Sequence, residues 1–254
     1  MTLMKLLSSN FSICASISTL VCAIATATPT VAQDETVLYG DDVNAGERIY
    51  DPFESINRLT FKLNDVLIGY VFEPVSKIYT TITPDPVEQG ANNFFRNLRY
   101  PIRLGGNLLQ GRFDGALVET GRFAINTTLG VVGVLSPADN IEGFEPIPSE
   151  DVADALGSWG IGEGPYLVLP FLGPSNLRDL VGLVGDAALD PTGDPFSAVD
   201  NWNWEWQTGL TVSEIIAGSP ALVDQYNQLK GGSIDPYSAM KNGYAQFRSA
   251  SIVE

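Results

Sequence analysis

The chain has 254 residues, enough to bury a substantial core as one large domain or two small ones. Its 14 Lys plus Arg stand against 30 Asp plus Glu, a formal charge of −16. With no basic stripe to displace counterions from DNA or RNA, nucleic acid is excluded as a partner, and 44% apolar residues argue against general disorder.

Residues 1–32 read as a secretory signal: Lys5, an apolar and small-residue stretch from Phe11 to Ala25, then Thr30-Val31-Ala32 as a cleavage site. The apolar stretch is too short, and too interrupted by Ser and Thr, for a membrane span. Both cysteines, Cys14 and Cys22, lie inside it. Lipidation of Cys22 would call for Leu three places earlier and a small residue directly before it. Thr19 and Val21 stand there instead, so the chain is expected to be unlipidated. Residues 33–49 are acidic and poor in large apolar side chains, as in a flexible tether.

The structured domain is expected over 50–248, with 249–254 as a tail. In Asp51-Pro52-Phe53-Glu54, Asp51 is placed to cap a helix, Pro52 suits its first position and Glu54 suits a capping box. Phe53, Ile56, Leu59, Leu63, Val66 or Leu67 and Tyr70 then follow at spacings of three and four, giving an amphipathic helix. Pro74 restarts the chain into a second helix, closed by Pro84-Asp85-Pro86. A third runs from Val87 to Leu98 and ends at Tyr100-Pro101, and Ile102 to Leu109 forms a short fourth.

Residues 113–129, with Asp114 as a possible cap, carry Leu117, Thr120, Gly121, Ala124 and Thr128 down one side. That small-residue face suits close helix packing, with lining roles for Asn126 and Thr127 as the alternative. Val131 to Leu135 reads as an apolar loop or hairpin element. Ser175 can cap a helix that ends at Asp190-Pro191, and three more follow: about Thr208 to Ile216, Pro220 to Leu229, and Asp235-Pro236 to Arg248. Some eight helices and no convincing strand ladder make an all-α fold.

Without its signal the chain has no histidine or cysteine, which removes Ser-His-Asp and Cys-His chemistry and imidazole or thiolate metal sites; no cofactor, no metal and no enzymatic role are expected. Gly160-Ile161-Gly162-Glu163-Gly164 lacks the strand and helix of a dinucleotide loop, since Pro165 and Pro170 forbid the helix. Ser238-Ala239-Met240-Lys241 matches Ser-x-x-Lys, but too little chain follows it, and a solvated helix face is the better account. Asp190 to Asp194 resembles part of a calcium loop with its glycine misplaced, and reads as a turn. Trp202, Trp204 and Trp206 suit either core filling or a membrane–water interface, where ring and N–H meet different surroundings.

Four ordered motifs resemble one family. They are Asp51-Pro52-Phe53-Glu54 with Asn57-Arg58; Arg122-Phe123 with Asn126-Thr127, Gly130 and Gly133; Leu156 to Asp179; and Asp235-Pro236-Tyr237 with Tyr244-Ala245-Gln246. Together they are similar to the MlaA (VacJ) family of outer-membrane phospholipid-transport proteins. The resemblance implies a ring-shaped bundle of amphipathic helices around a central amphipathic pore, seated in the inner leaflet of the outer membrane. It implies phospholipid as cargo, and a trimeric porin and a soluble periplasmic lipid carrier as partners. Arg122, Asn126, Thr127, Gly130 and Gly133 would then flank the pore, with Asn57, Arg58 and Asn64 as further candidates. Ser136 stands where relatives often carry Asp. A structural scaffold without transport, or a lipid hydrolase, are the competing functions.

Overall fold

The computed structural model describes residues 49–191 and 204–253. Among them the architecture is helical, with nine α-helices and one small hairpin, as the all-α expectation requires. Helix α1 (Glu54–Leu67) runs through a π-helical turn (Ile68–Phe72) into α2 (Glu73–Ile82); α3 (Asp85–Leu98), α4 (Tyr100–Leu109) and α5 (Phe113–Thr128) follow. After a 3-10 turn (Pro137–Asn140) come α6 (Val152–Ser158), strands β1 (Tyr166–Leu169) and β2 (Gly173–Asn176), then α7 (Leu177–Leu189), α8 (Trp204–Gly231) and α9 (Pro236–Val253). Helix α9 thus runs five residues past Arg248.

Two prolines expected to break helices do not. Pro74 has no N–H, but in the π-helical turn before it the Glu73 N–H reaches back to the Ile68 carbonyl, which relieves the crowding a proline imposes on a straight α-turn. Pro220 lies inside α8, where it deprives the Ile216 carbonyl of its usual donor. The Ser219 hydroxyl donates to that carbonyl at 2.7 Å, and Ser219 is wholly buried, so one helix replaces the two expected.

Capping differs as well. Phe53 precedes α1, and Asp51 caps nothing: its carboxylate accepts from Asn57 Nδ2, the Tyr237 hydroxyl and Lys241. Helix α5 opens at Phe113 without a side-chain cap at Asp114. Asn176, not Ser175, caps α7 by accepting the Asp179 N–H at 2.7 Å. Helix α6, absent from the expectations, has a full capping box in which the Asp151 and Asp154 side chains each take the other's backbone N–H.

The Tyr166–Asn176 segment supplies the one strand ladder among the described residues, where the sequence shows no convincing one. It is an antiparallel hairpin pairing Tyr166 with Asn176 and Leu169 with Gly173, and it turns through Pro170, Phe171 and Leu172. Tyr166 and Val168 are buried; Phe171 and Leu172 at the tip are exposed. Phe171 sits at φ +68°, a region that ordinary side chains disfavour.

The amphipathic helices are inside out. In α1 the buried residues are Asn57 and Asn64, while Leu59 (69% exposed), Ile56, Leu63 and Val66 face outward. In α2 Ser76 is buried and Ile78 and Ile82 are exposed; in α5 Glu119, Arg122 and Asn126 are buried and Leu117 is exposed. The stripe of Leu117, Thr120, Ala124 and Thr128 is therefore an outer face, not the expected packing face. Gly121 does pack closely, against the Phe144 ring. Among the described residues the buried apolar side chains form two small clusters, one of Ile68, Val223 and Tyr226, the other of Tyr166, Val168 and Tyr237, with Phe95 and several alanines buried apart from them.

Candidate polar conduit

A cavity of about 530 Å³ lies between α3, α4, α7, α8 and the segment Ser149–Asp151. A smaller one of about 100 Å³, between α3, α4 and α5, shares Arg96, Arg103 and Ser149 with it. Local sequence explains this convergence. Pro101 starts α4 directly after α3, so Arg96, Arg99 and Arg103 arise from one helical corner. Gly106 lets α4 press on the Glu150 backbone, where a β-carbon would lie 2.7 Å from the carbonyl carbon.

Charge lines both walls. Arg99 pairs with Glu214 at 2.6 Å, Arg103 with Glu119 at 2.8 Å, and Arg96 and Arg122 share Asp139. Glu150 is nearly fully buried and takes Gln110 and Arg112. Burial raises the affinity of Glu150 and Glu214 for a proton, against the lowering pull of Arg112 and Arg99. Burial also pushes the Asp186 carboxyl up to about 6. Asp186 accepts the Val152 N–H at 3.0 Å, and no cation pairs with it among the described residues.

The structure divides the residues expected to flank a pore. Arg122 and Asn126 line the smaller cavity: Arg122 donates to the Phe144 carbonyl and Asp139, and Asn126 accepts the Ala138 N–H at 3.1 Å. Thr127 accepts from Asn97, a lining residue, at 3.0 Å. Gly133, at φ +89°, lies on the Asn97 side chain, and Gly130 is enclosed by the Leu135 and Asn126 carbonyls. These two hold the turn that presents Val131 and Val132 outward, both at positive φ. In Ser136 the hydroxyl takes Arg96 at 3.0 Å, while the nearby acid is Asp139.

Asn57, Arg58 and Asn64 lie elsewhere. Asn57 donates to the Tyr166 carbonyl and accepts the Val168 N–H, both at 2.9 Å; Asn64 does the same for Leu169 and Phe171, also at 2.9 Å. Their amides hold the free edge of β1 and close its turn. Arg58 lies over the Tyr237 ring and bonds Asp235 and Glu54. Lys241, expected on a solvated face, instead pairs with Asp51 at 3.0 Å and is largely buried. Arg178 and Asp179, at the end of the Leu156 to Asp179 motif, are buried. Trp206 is exposed, which is incompatible with core filling; Trp202 and the Trp204 side chain lie outside the described residues, as do Cys22 and most of the Asp190–Asp194 turn.

Sequence reasoning missed Arg96, Arg99, Arg103, Glu150, Asp186 and Glu214. Only the Asp151-x-x-Asp154 capping pattern signalled that a helix begins beside the cavity.

The family model described as MlaA lipoprotein matches residues 49–251. The chain belongs to the MlaA family. The intermembrane phospholipid transport system lipoprotein MlaA of Escherichia coli is 32% identical over 202 residues, covering 77% of this chain and 76% of that protein. An uncharacterised protein of Rickettsia prowazekii is 32% identical over 218 residues, covering 84% and 82%. A chain solved in work on the structural basis for maintenance of bacterial outer membrane lipid asymmetry superposes with a TM-score of 0.65 at 30% identity, covering 80% of this chain and 98% of that one. Family membership thus rests on nearly the whole described region, hairpin and cavity included.

Proposed function

We propose that this chain is an outer-membrane component of a phospholipid transport system, through which phospholipids that have strayed into the outer leaflet leave it toward a soluble periplasmic carrier. The observation that carries this reading is the inversion of the amphipathic helices. Apolar stripes on α1, α2 and α5 face outward, where lipid tails can cover them, and charged side chains face a cavity able to pass a headgroup. No described helix is long and apolar enough to cross a membrane, so these stripes suit helices lying within one leaflet. No hydrolysis is required, since a polar route for the headgroup lowers the barrier by itself.

A trimeric porin is the proposed neighbour in the membrane plane. Export through the signal at 1–32 places the chain on the periplasmic side. The family and the Escherichia coli protein are both called lipoproteins, whereas the residues around Cys22 fit a lipidation signal poorly; the mass of the mature N-terminus decides between them. The test of function is deletion of the gene with chemical labelling of cell-surface phospholipid. Rising outer-leaflet phospholipid and lost detergent resistance support transport; no change in either refutes it. A bulky Asn126→Trp variant that still folds and retains its porin, yet restores nothing, separates a conduit from a scaffold.

A further inference from the structure

The cavity carries both signs of charge. Arg96, which reaches Asp139, and Arg103, which pairs with Glu119, line both the larger and the smaller cavity. Across the larger cavity stand Asp186 on α7 and Glu214 on α8. Glu214 pairs with Arg99, whereas Asp186 accepts one backbone N–H and makes no direct ion pair among the described residues, Arg248 acting on it only at longer range. A half-buried carboxylate kept without a directly paired counter-ion is unfavourable for the fold, and such groups concentrate where a ligand supplies the missing charge.

We infer that the cavity is a subsite for a zwitterionic amine headgroup, with Asp186 taking the ammonium and Arg96 and Arg103 the phosphate. This rests on the conduit reading above and adds selectivity to it. Arginine suits phosphate through its planar fork of donors, and an ammonium has three donors for the carboxylate. A headgroup with a phosphate but no amine would leave Asp186 uncompensated beside its own negative charge. Amine-bearing phospholipid is therefore preferred over anionic phospholipid, on the order of tenfold for one charge-assisted contact.

Asp186→Asn is the informative variant, because the Asn side-chain oxygen still accepts the Val152 N–H while the charge is gone. The detergent-solubilised full chain is titrated with dihexanoyl phosphatidylethanolamine, dihexanoyl phosphatidylglycerol and free O-phosphoethanolamine. The wild type should favour phosphatidylethanolamine about tenfold over phosphatidylglycerol, and Asp186→Asn should bring the two close to equal. Equal binding by the wild type, or a preference that survives in the variant, overturns the selectivity and leaves the conduit standing; no binding of either lipid overturns both. Free O-phosphoethanolamine binding as tightly as the lipid would keep the subsite but make its occupant a soluble zwitterion.

A second measurement needs no substitution. Asp186 faces Asp151, the cap of α6, and Asp154 on α6, Arg248 on α9, and Glu150, Arg103, Glu214 and Asp190 around the cavity. Its carboxyl is charged above about 6 and neutral below, so the wild-type preference should fall as pH drops through that value. A preference unchanged between about pH 7.5 and about pH 5 refutes the assignment.

Discussion

Asn57→Ala tests what holds the hairpin. Asn57 is only 2% exposed, and its amide makes three hydrogen bonds: to Asp51 at 2.8 Å, and to the Tyr166 carbonyl and Val168 N–H at 2.9 Å. Truncation leaves Asp51 with Tyr237 and Lys241, but strands two backbone groups of β1 beside the Tyr166–Tyr237 cluster. At about 1–3 kcal/mol for each buried group left without a partner, the loss is about 2–6 kcal/mol. For a domain of this size that lowers the midpoint of thermal unfolding by roughly 5–15 °C, read by tryptophan fluorescence of the detergent-solubilised protein. Asn57→Asp should fare no better, because a carboxylate cannot donate to the Tyr166 carbonyl and adds a charge beside Asp51. A midpoint within about 2 °C of wild type, or an Asp variant as stable as the parent, would refute the strap.

Arg248→Met removes the guanidinium that holds Asp151 and Asp154, each at 3.0 Å, together with Asp179; with one partner of a buried network gone, unfolding should be easier by about 3–5 kcal/mol. Burial already raises the Asp151 carboxyl and Arg248 pulls it down, so losing the cation raises it further; the deficit should be full at neutral pH and shrink as Asp151 protonates in acid, and a deficit independent of pH in chemical denaturation would contradict this. Ser219→Ala should cost about 1–2 kcal/mol by freeing the Ile216 carbonyl, and adding Pro220→Ala should recover most of it by restoring a backbone donor, as a double-mutant cycle would reveal. Gly106→Ala drives a β-carbon to 2.7 Å from the Glu150 carbonyl, so it should destabilise by about 1–3 kcal/mol and shift binding at the cavity, measurable with the same lipid titration.

Helix positions were legible because spacings of three and four survive whichever side the apolar stripe faces. The stripe on α1 is plain in the sequence. That it faces outward is not, since periodicity locates a face without saying what covers it. The hairpin escaped for a different reason: each strand has only four residues, and the groups completing β1 come from Asn57 and Asn64, more than a hundred residues away. The Arg122-to-Gly133 motif did point to the neighbourhood of the smaller cavity. The larger one joins Arg99 to Glu214 and sets Asp186 opposite Arg103, pairings with no local signature. Pro220 misled because its remedy, the hydroxyl of Ser219, reads as an ordinary helix-disfavouring residue until the Ile216 carbonyl is seen to need a donor.

The same inversion determines where stability resides. The two apolar clusters each rest on three buried residues, and elsewhere among the described residues the helices bury Phe95 and a few alanines beside many amides and ion pairs. Buried hydrogen bonds fix geometry but contribute little net free energy each, about 0.5–1.5 kcal/mol, and buried ion pairs can fail to recover their desolvation. On the function proposed above, covering the outward stripes of α1, α2 and α5 adds an apolar term of roughly 25 cal/mol for each Å² removed from water. In a leaflet, lipid tails supply that cover and the fold and its polar interior become compatible. In plain water the same sequence would be driven to bury Ile56, Leu59 and Leu63 against one another, at the expense of the charged cavity.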